Sequence, residues 1–91
     1  GENFQDVQFR VLSLFKEIVL RHPGETVALT AHSGPTRILL AHAFTMPLDC
    51  IFTFEQDYCC LNAIDIYPSG SIRVKTLNSI EHLLSVSGRE L

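Results

Sequence analysis

The residues best suited to chemistry follow an apolar run in the stretch TVALTAHSGPTR, Thr26 to Arg37. His32 ends the run, and Ser33 and Gly34 come directly behind it, where a helix should begin. The first N–H groups of a helix have no partner within it, and the helix dipole adds positive potential there. A protonated imidazole at that point can add a charged hydrogen bond to an anion. The pattern therefore indicates an anion site of phosphate size.

A plainer interpretation of the same residues stays open and is the commoner one. His32 can be a histidine satisfied at the end of a strand, beside an ordinary helix N-cap. Glu2, before the first predicted helix, can be a solvated acid near the positive helix end or, if it meets His32, an acid-base group. Arg37 can touch a phosphate, although an arginine on a helix more often solvates the helix face.

An amphipathic helix is predicted from Phe4 to Val19, where apolar residues recur at helical spacing. Asn3 can cap its start, with Asp6 three residues later in a capping-box pattern. Pro23-Gly24 ends the helix just after His22. Glu2 would then lie just before the start of this helix.

The remaining elements complete an α/β arrangement of helix, strand, helix and hairpin. The short apolar run favours a strand covered on both faces, and Pro-Ser-Gly between two β-rich segments favours a tight turn. The predicted elements are a strand at Thr26–Ala31, a second helix from Pro35 that Pro47 ends, a short helix and loop within Leu48–Asp57, hairpin strands at Tyr58–Tyr67 and Ser71–Leu77, and a last short helix near Ile80–Leu84.

Composition excludes several classes of function. The 91 residues are 46% hydrophobic and carry a net charge of −3 with scattered basic residues, so no nucleic-acid surface is expected. The apolar runs are too short for a membrane span. Three cysteines, two of them adjacent (Cys59 and Cys60), favour buried thiols in a reducing compartment, hence the cytoplasm. Neighbouring cysteines in a strand would point to opposite faces, so no metal site is expected.

Three segments carry a resemblance to a known family: GENFQDVQFRV (Gly1 to Val11), VALTAHSGPTRILLAHAFTMP (Val27 to Pro47) and FEQDYCCLNAIDIYPSGSIRVKTLN (Phe54 to Asn78). They resemble the C-terminal half of a histidine phosphatase, in the phosphoglycerate mutase-like superfamily, and most of all the α-ribazole phosphatases. The resemblance implies a partial three-layer α/β/α fold in which residues 1–91 form the C-terminal portion of a single domain.

The resemblance also implies a function and a set of site residues. Members transfer a phosphoryl group to a histidine in an Arg-His-Gly motif near their N-terminus and then hydrolyse the phosphohistidine. Glu2 would be the proton donor and later the base, and His32 the second phosphate-binding histidine, with the N–H groups of Ser33 and Gly34 beside it. The substrate would be a small phosphomonoester, with α-ribazole 5′-phosphate of cobalamin assembly as the first expectation and no cofactor.

The chain departs from the family pattern in three places. It has Gly1-Glu2-Asn3 where Gly-Glu-Ser is common, and His32-Ser33-Gly34 where His-Gly-Gly is common. It contains no strand followed by Arg-His-Gly, so the nucleophile is expected to belong to an absent N-terminal half. The pair Arg21-His22 imitates that motif, but it follows a helix and is interpreted as a helix stop. Without the nucleophile, the 91 residues alone should be inactive.

Two other functions stay open. A phosphoglycerate mutase would return the phosphoryl group to a sugar acid, but only 29 residues separate Glu2 from His32, which leaves no room for the longer insertion of mutases. A non-catalytic interaction module could keep the fold without the nucleophile. The open sheet edge of a partial domain invites pairing with a second copy or with the N-terminal half.

Overall fold

A computed structural model describes residues 3–83 of the chain. These residues form two compact units, one running to Thr53 and the other beginning at Phe54. The first unit contains helices α1 (Phe4–Arg21) and α2 (Ser33–Phe44) and a 3-10 turn (Leu48–Cys50); the second contains the antiparallel strands β1 (Leu61–Ile66) and β2 (Ile72–Ser79).

Helix α1 begins and ends where its local sequence predicts. Asn3 accepts a hydrogen bond from the Asp6 N–H at 2.9 Å, and the Asp6 carboxylate accepts one from the Asn3 N–H at 3.4 Å, which completes a capping box. The helix continues two residues beyond Val19 and is capped at His22. Gly24 follows with a φ of 72°, a conformation that suits glycine and turns the chain away from the helix axis.

Helix α2 is also marked by its own residues. His32 precedes it with extended backbone (φ −72°, ψ 163°), and Pro35 lies in its first turn, where a missing N–H costs no helical hydrogen bond. Thr45 ends it in the left-handed conformation (φ 58°), and the N–H of Met46 reaches back to the carbonyl of Ala41 at 2.8 Å. This is a Schellman-type ending, directly before the predicted stop at Pro47.

A small apolar core fixes α2 within the first unit. Ile38, Ala41 and Ile51 are at most 3% exposed and pack together. Partly buried side chains surround them from α1 and from the chain that follows α2: Val7, Val11, Met46 and Leu48. Because Ile38 and Ala41 lie one turn apart on α2, this packing sets which face of the helix turns inward.

The strand predicted at Thr26–Ala31 is wrong for the part of the chain that the structure describes, since none of those residues pairs as a strand. The segment is exposed throughout, and Val27 and Leu29 are 42% and 56% exposed. An apolar run becomes a buried strand only when neighbouring strands satisfy its N–H and C=O groups. Between residues 3 and 83, β1 and β2 pair only with one another.

The hairpin is confirmed, with a later start than predicted. Strands β1 and β2 meet around a turn in which Gly70 has a φ of 91° and donates to the carbonyl of Tyr67 at 2.8 Å. Their register shifts on both sides of Ala63, which indicates an irregular ladder at the start of β1. The helical residues 81–83 fit the last predicted helix, whose final residue, Leu84, lies outside the described range.

The adjacent cysteines do not belong to the strand. Cys59 lies in a turn closed by a hydrogen bond from the Cys60 N–H to the Asp57 carbonyl at 3.2 Å, and its φ is 59°. Cys59 is exposed and Cys60 half-buried, and both are free thiols. The predictions that they alternate in a strand and are buried are therefore wrong, because the turn displaces the start of the ladder to Leu61.

Candidate functional site

His32 stands at the amino end of α2 with its side chain in solvent. Its carbonyl accepts the first helical hydrogen bond, from the Thr36 N–H at 3.1 Å, while its imidazole makes no capping hydrogen bond. The backbone of His32 thus starts the helix and leaves the ring available. Among the described residues, the ring has no hydrogen-bond partner. The structure therefore does not support the interpretation that neighbouring groups satisfy this histidine.

The N–H groups of Ser33 and Gly34 lie in the first turn of α2, where no preceding helical carbonyl can accept from them. Space is open beside the Gly34 α-carbon: apart from its chain neighbours and the nearby helix backbone, no heavy atom of the described residues comes within 4 Å of where a Cβ would stand. Together with the helix dipole, these donors make an exposed place of positive potential beside His32. The arrangement can accept an oxyanion from solvent.

Arg37, one turn further along α2, contacts the same end of the helix. Its Nε–H donates to Ser33 Oγ at 3.2 Å, and its Nη1–H donates to the carbonyl of Ile51 at 2.8 Å. Its guanidinium also lies over the Phe52 ring, 5.3 Å from the centroid. The expectation that Arg37 merely solvates its helix face is therefore wrong, since the side chain turns toward specific partners in its own unit.

The start of α1 is connected to this end of α2 through aromatic contacts. The Phe4 and Phe52 rings meet edge to face with centroids 6.4 Å apart, and Phe52 in turn contacts Arg37. Such ring pairs add about 0.5–1.5 kcal/mol beyond their buried area. Glu2, the predicted acid-base residue, lies outside the described residues, two positions before Phe4.

The Arg21-His22 pair is confirmed as the end of a helix. His22 is the C-cap of α1 and its Nδ1 lies 3.0 Å from Glu25 Oε1, while Arg21 contacts Glu17 at 2.7 Å. Both side chains serve local contacts on the surface. Because the pair ends a helix, it does not present a histidine from the end of a strand, as the nucleophile motif would.

Other chemistry-bearing side chains are dispersed. Within residues 3–83, no group of three or more histidine, cysteine or acidic side chains could hold a metal ion. His42 meets the Phe15 ring edge to face at 6.0 Å, and the ring of His82 lies 2.9 Å from the Cys59 carbonyl. None of the helices in the described range combines the length and apolar character needed to cross a membrane.

A cluster of polar side chains lies at the start of the hairpin. Gln56 and Asn62 pair their side-chain amides reciprocally at 2.9 and 2.8 Å. Asn78 accepts from the Asp57 N–H at 2.7 Å and donates to its carboxylate at 2.9 Å. Asn78 and Asp57 lie 21 residues apart along the chain, so no local pattern in the sequence signals this contact.

The chain is similar in sequence to several known proteins. Residues 1–80 match the profile of the histidine phosphatase superfamily (branch 1). The chain is 30% identical over 79 residues to the adenosylcobalamin/alpha-ribazole phosphatase of Salmonella typhimurium, covering 87% of this chain and 39% of that protein. It is 28% identical over 83 residues to a bifunctional protein of Mycobacterium tuberculosis, covering 91% of this chain and 23% of that protein.

One solved structure is also similar. YhfR of Bacillus stearothermophilus superposes with a TM-score of 0.85 and 31% identity, covering 91% of this chain and 41% of that one. The expected partial α/β fold is confirmed by this match. The chain spans less than half the length of each of these similar proteins.

Proposed function

The chain belongs to the histidine phosphatase superfamily (branch 1), and we propose that it supplies part of the active site of a phosphomonoester hydrolase that works through a phosphohistidine. The observation that carries the proposal is the exposed imidazole of His32 beside the unpaired N–H groups of Ser33 and Gly34 at the start of α2. A phosphoryl group is the common biological anion that such a place fits.

The reaction needs a nucleophile that these 91 residues do not contain. The family resemblance assigns it to a histidine in an Arg-His-Gly motif, and no such motif occurs in the chain. The chain covers 39% and 41% of two similar proteins, which supports a nucleophile supplied by further sequence. In the first step the bond from phosphorus to the alcohol oxygen breaks as a bond to that histidine nitrogen forms.

The residues of this chain would stabilise the charge on the phosphoryl group and transfer protons. A protonated His32 and the N–H groups of Ser33 and Gly34 would hold the phosphoryl oxygens, where fixed donors stabilise the charge spread over the transition state. Glu2 would give its proton to the departing alcohol, and its carboxylate would then take a proton from the water that attacks phosphorus and releases the histidine. No metal or organic cofactor is required for these steps.

The first substrate to test is α-ribazole 5′-phosphate. The support is the similarity to the Salmonella adenosylcobalamin/alpha-ribazole phosphatase, which is 30% identical over the matched residues. A sugar phosphate or another small phosphomonoester is the alternative. A phosphoglycerate mutase would instead return the phosphoryl group to a sugar acid.

The decisive experiment compares two histidines in the full-length natural protein that carries this chain. His32→Ala should lower kcat/KM for a phosphomonoester on the order of 10²–10³-fold, as loss of a transition-state donor does. The matched control is His22→Ala, an exposed histidine at a helix end, which should change the rate less than twofold. Equal activity of the His32 variant and the wild type would exclude the proposed role.

Glu2 needs its own pair of variants. Glu2→Gln should lower kcat far more than it raises KM, because the amide cannot donate or accept the proton but keeps the shape of the side chain. Glu25→Gln is the control, an exposed acid that contacts only His22 among the described residues. A normal rate for Glu2→Gln would remove this residue from the mechanism.

A further inference from the structure

At least three contacts hold the Arg37 side chain in the first unit. Its Nη1–H donates to the carbonyl of Ile51, a core residue that is 1% exposed, and its guanidinium lies over Phe52. These two contacts leave the Nε–H directed at Ser33 Oγ, at 3.2 Å. A planar fork of donors can make this set of bonds at once, whereas the single ammonium of lysine cannot.

The contact with Arg37 determines which role the Ser33 hydroxyl can play. A serine hydroxyl has one proton to donate and accepts through its oxygen. Arginine carries donors only, so the oxygen is the acceptor in this pair and the hydroxyl proton must point away from Arg37. Ser33 is exposed at the first position of α2, next to His32, so that proton is free to turn toward an anion at the helix end.

We propose that Arg37 is a positioning residue that holds the Ser33 hydroxyl as a hydrogen-bond donor to the phosphoryl group of the substrate. The inference rests on the proposed function, because it concerns the same anion site. Ser33 stands where the family commonly has glycine, so its hydroxyl is a donor that the common His-Gly-Gly sequence lacks. The fixed guanidinium also brings a positive charge within one helical turn of the site.

The test is a double-mutant cycle in the full-length natural protein. Ser33→Ala and Arg37→Lys should each lower kcat on a phosphomonoester and weaken inhibition by orthovanadate about tenfold, with KM changing less, since the donor acts on the transition state. The double variant should be no worse than Ser33→Ala alone, because Arg37 acts through that hydroxyl. Ser33→Thr keeps the hydroxyl and should recover most of the activity.

Two controls separate this role from a structural one. Arg73→Lys removes another arginine that lies over an aromatic ring, Tyr67 at 5.2 Å, and should leave kcat unchanged. If Arg37→Lys costs as much in the Ser33→Ala background as in the wild type, Arg37 acts on stability or on the site as a whole and the inference is wrong. Ser33→Ala changes an exposed residue, so its result is readable even if Arg37→Lys unfolds.

The outcomes also distinguish a failure of this inference from a failure of the proposed function on which it rests. A wild type that hydrolyses phosphomonoesters, a His32→Ala variant that does not, and a Ser33→Ala variant within twofold of the wild type would overturn only the role of Ser33 and Arg37. A wild type with no phosphatase activity would overturn the proposed function, and the inference with it.

Discussion

Asn78 offers the sharpest test of how the hairpin is held, because it combines a backbone and a side-chain contribution. Its φ is 54°, in the left-handed region that asparagine tolerates better than alanine does. Its side chain accepts from the Asp57 N–H at 2.7 Å and donates to the Asp57 carboxylate at 2.9 Å. Both contacts join the end of β2 to the loop before β1.

Two substitutions divide these contributions. Asn78→Gly loses two hydrogen bonds of about 1 kcal/mol each and keeps the left-handed backbone, so the free energy of unfolding should fall by about 2 kcal/mol. Asn78→Ala loses the same bonds and adds about 1 kcal/mol of backbone strain, for a total of about 3 kcal/mol. The difference of about 1 kcal/mol between the two variants is the contribution of the left-handed backbone conformation to the free energy of unfolding.

The assay is urea unfolding of the full-length natural protein, combined with amide hydrogen exchange at Asp57. In both variants the Asp57 N–H loses its acceptor and should exchange faster, while the amide of Gly70, which donates to Tyr67 at the far end of the hairpin, should change little. Variants that both unfold within 0.5 kcal/mol of the wild type, or an alanine variant no less stable than the glycine variant, would refute this account.

Three further predictions concern the first unit and are measured by the same unfolding experiment. Thr45→Gly should raise the free energy of unfolding by about 1 kcal/mol, because a β-branched residue occupies the left-handed end of α2 at a φ of 58°; a loss of stability would contradict this. Asn3→Ala should lower it by about 1 kcal/mol through loss of the cap on α1, and an unchanged value would show that the capping box contributes nothing. Ile38→Ala should lower it by about 2–5 kcal/mol, while the control Phe9→Ala, at a position 77% exposed, should stay within about 0.5 kcal/mol.

The elements that could be predicted are those whose signals lie within a few residues. The Asn3 and Asp6 pair marked the start of α1, and the Pro-Ser-Gly turn before Ser71 marked the hairpin. The prediction for Thr26–Ala31 failed for the opposite reason. Apolar β-branched residues favour a strand, but a strand also needs a partner ladder, and the described residues pair none with it.

In the candidate site, too, some features could be predicted from the local sequence and others could not. His32 at the head of a helix could be inferred from the apolar run before it and from Ser33, Gly34 and Pro35 behind it, because helix starts are set by local capping and by the fixed φ of proline. The contact of Arg37 with Ser33 also lies within one turn of helix. Nothing in that stretch, however, selects this rotamer of Arg37 over one that points into water.

That choice is made by residues far along the chain. The carbonyl of Ile51, 14 residues after Arg37, and the ring of Phe52 hold the guanidinium where its Nε–H meets Ser33. In the same manner Asp57 and Asn78 meet across 21 residues. Local hydrogen bonding and backbone preferences were enough to specify the helices and the turn, because each is satisfied within a few residues. Long-range partners exist only once packing brings them together, so tertiary structure alone decided which side chain Arg37 holds and that Asn78 meets Asp57.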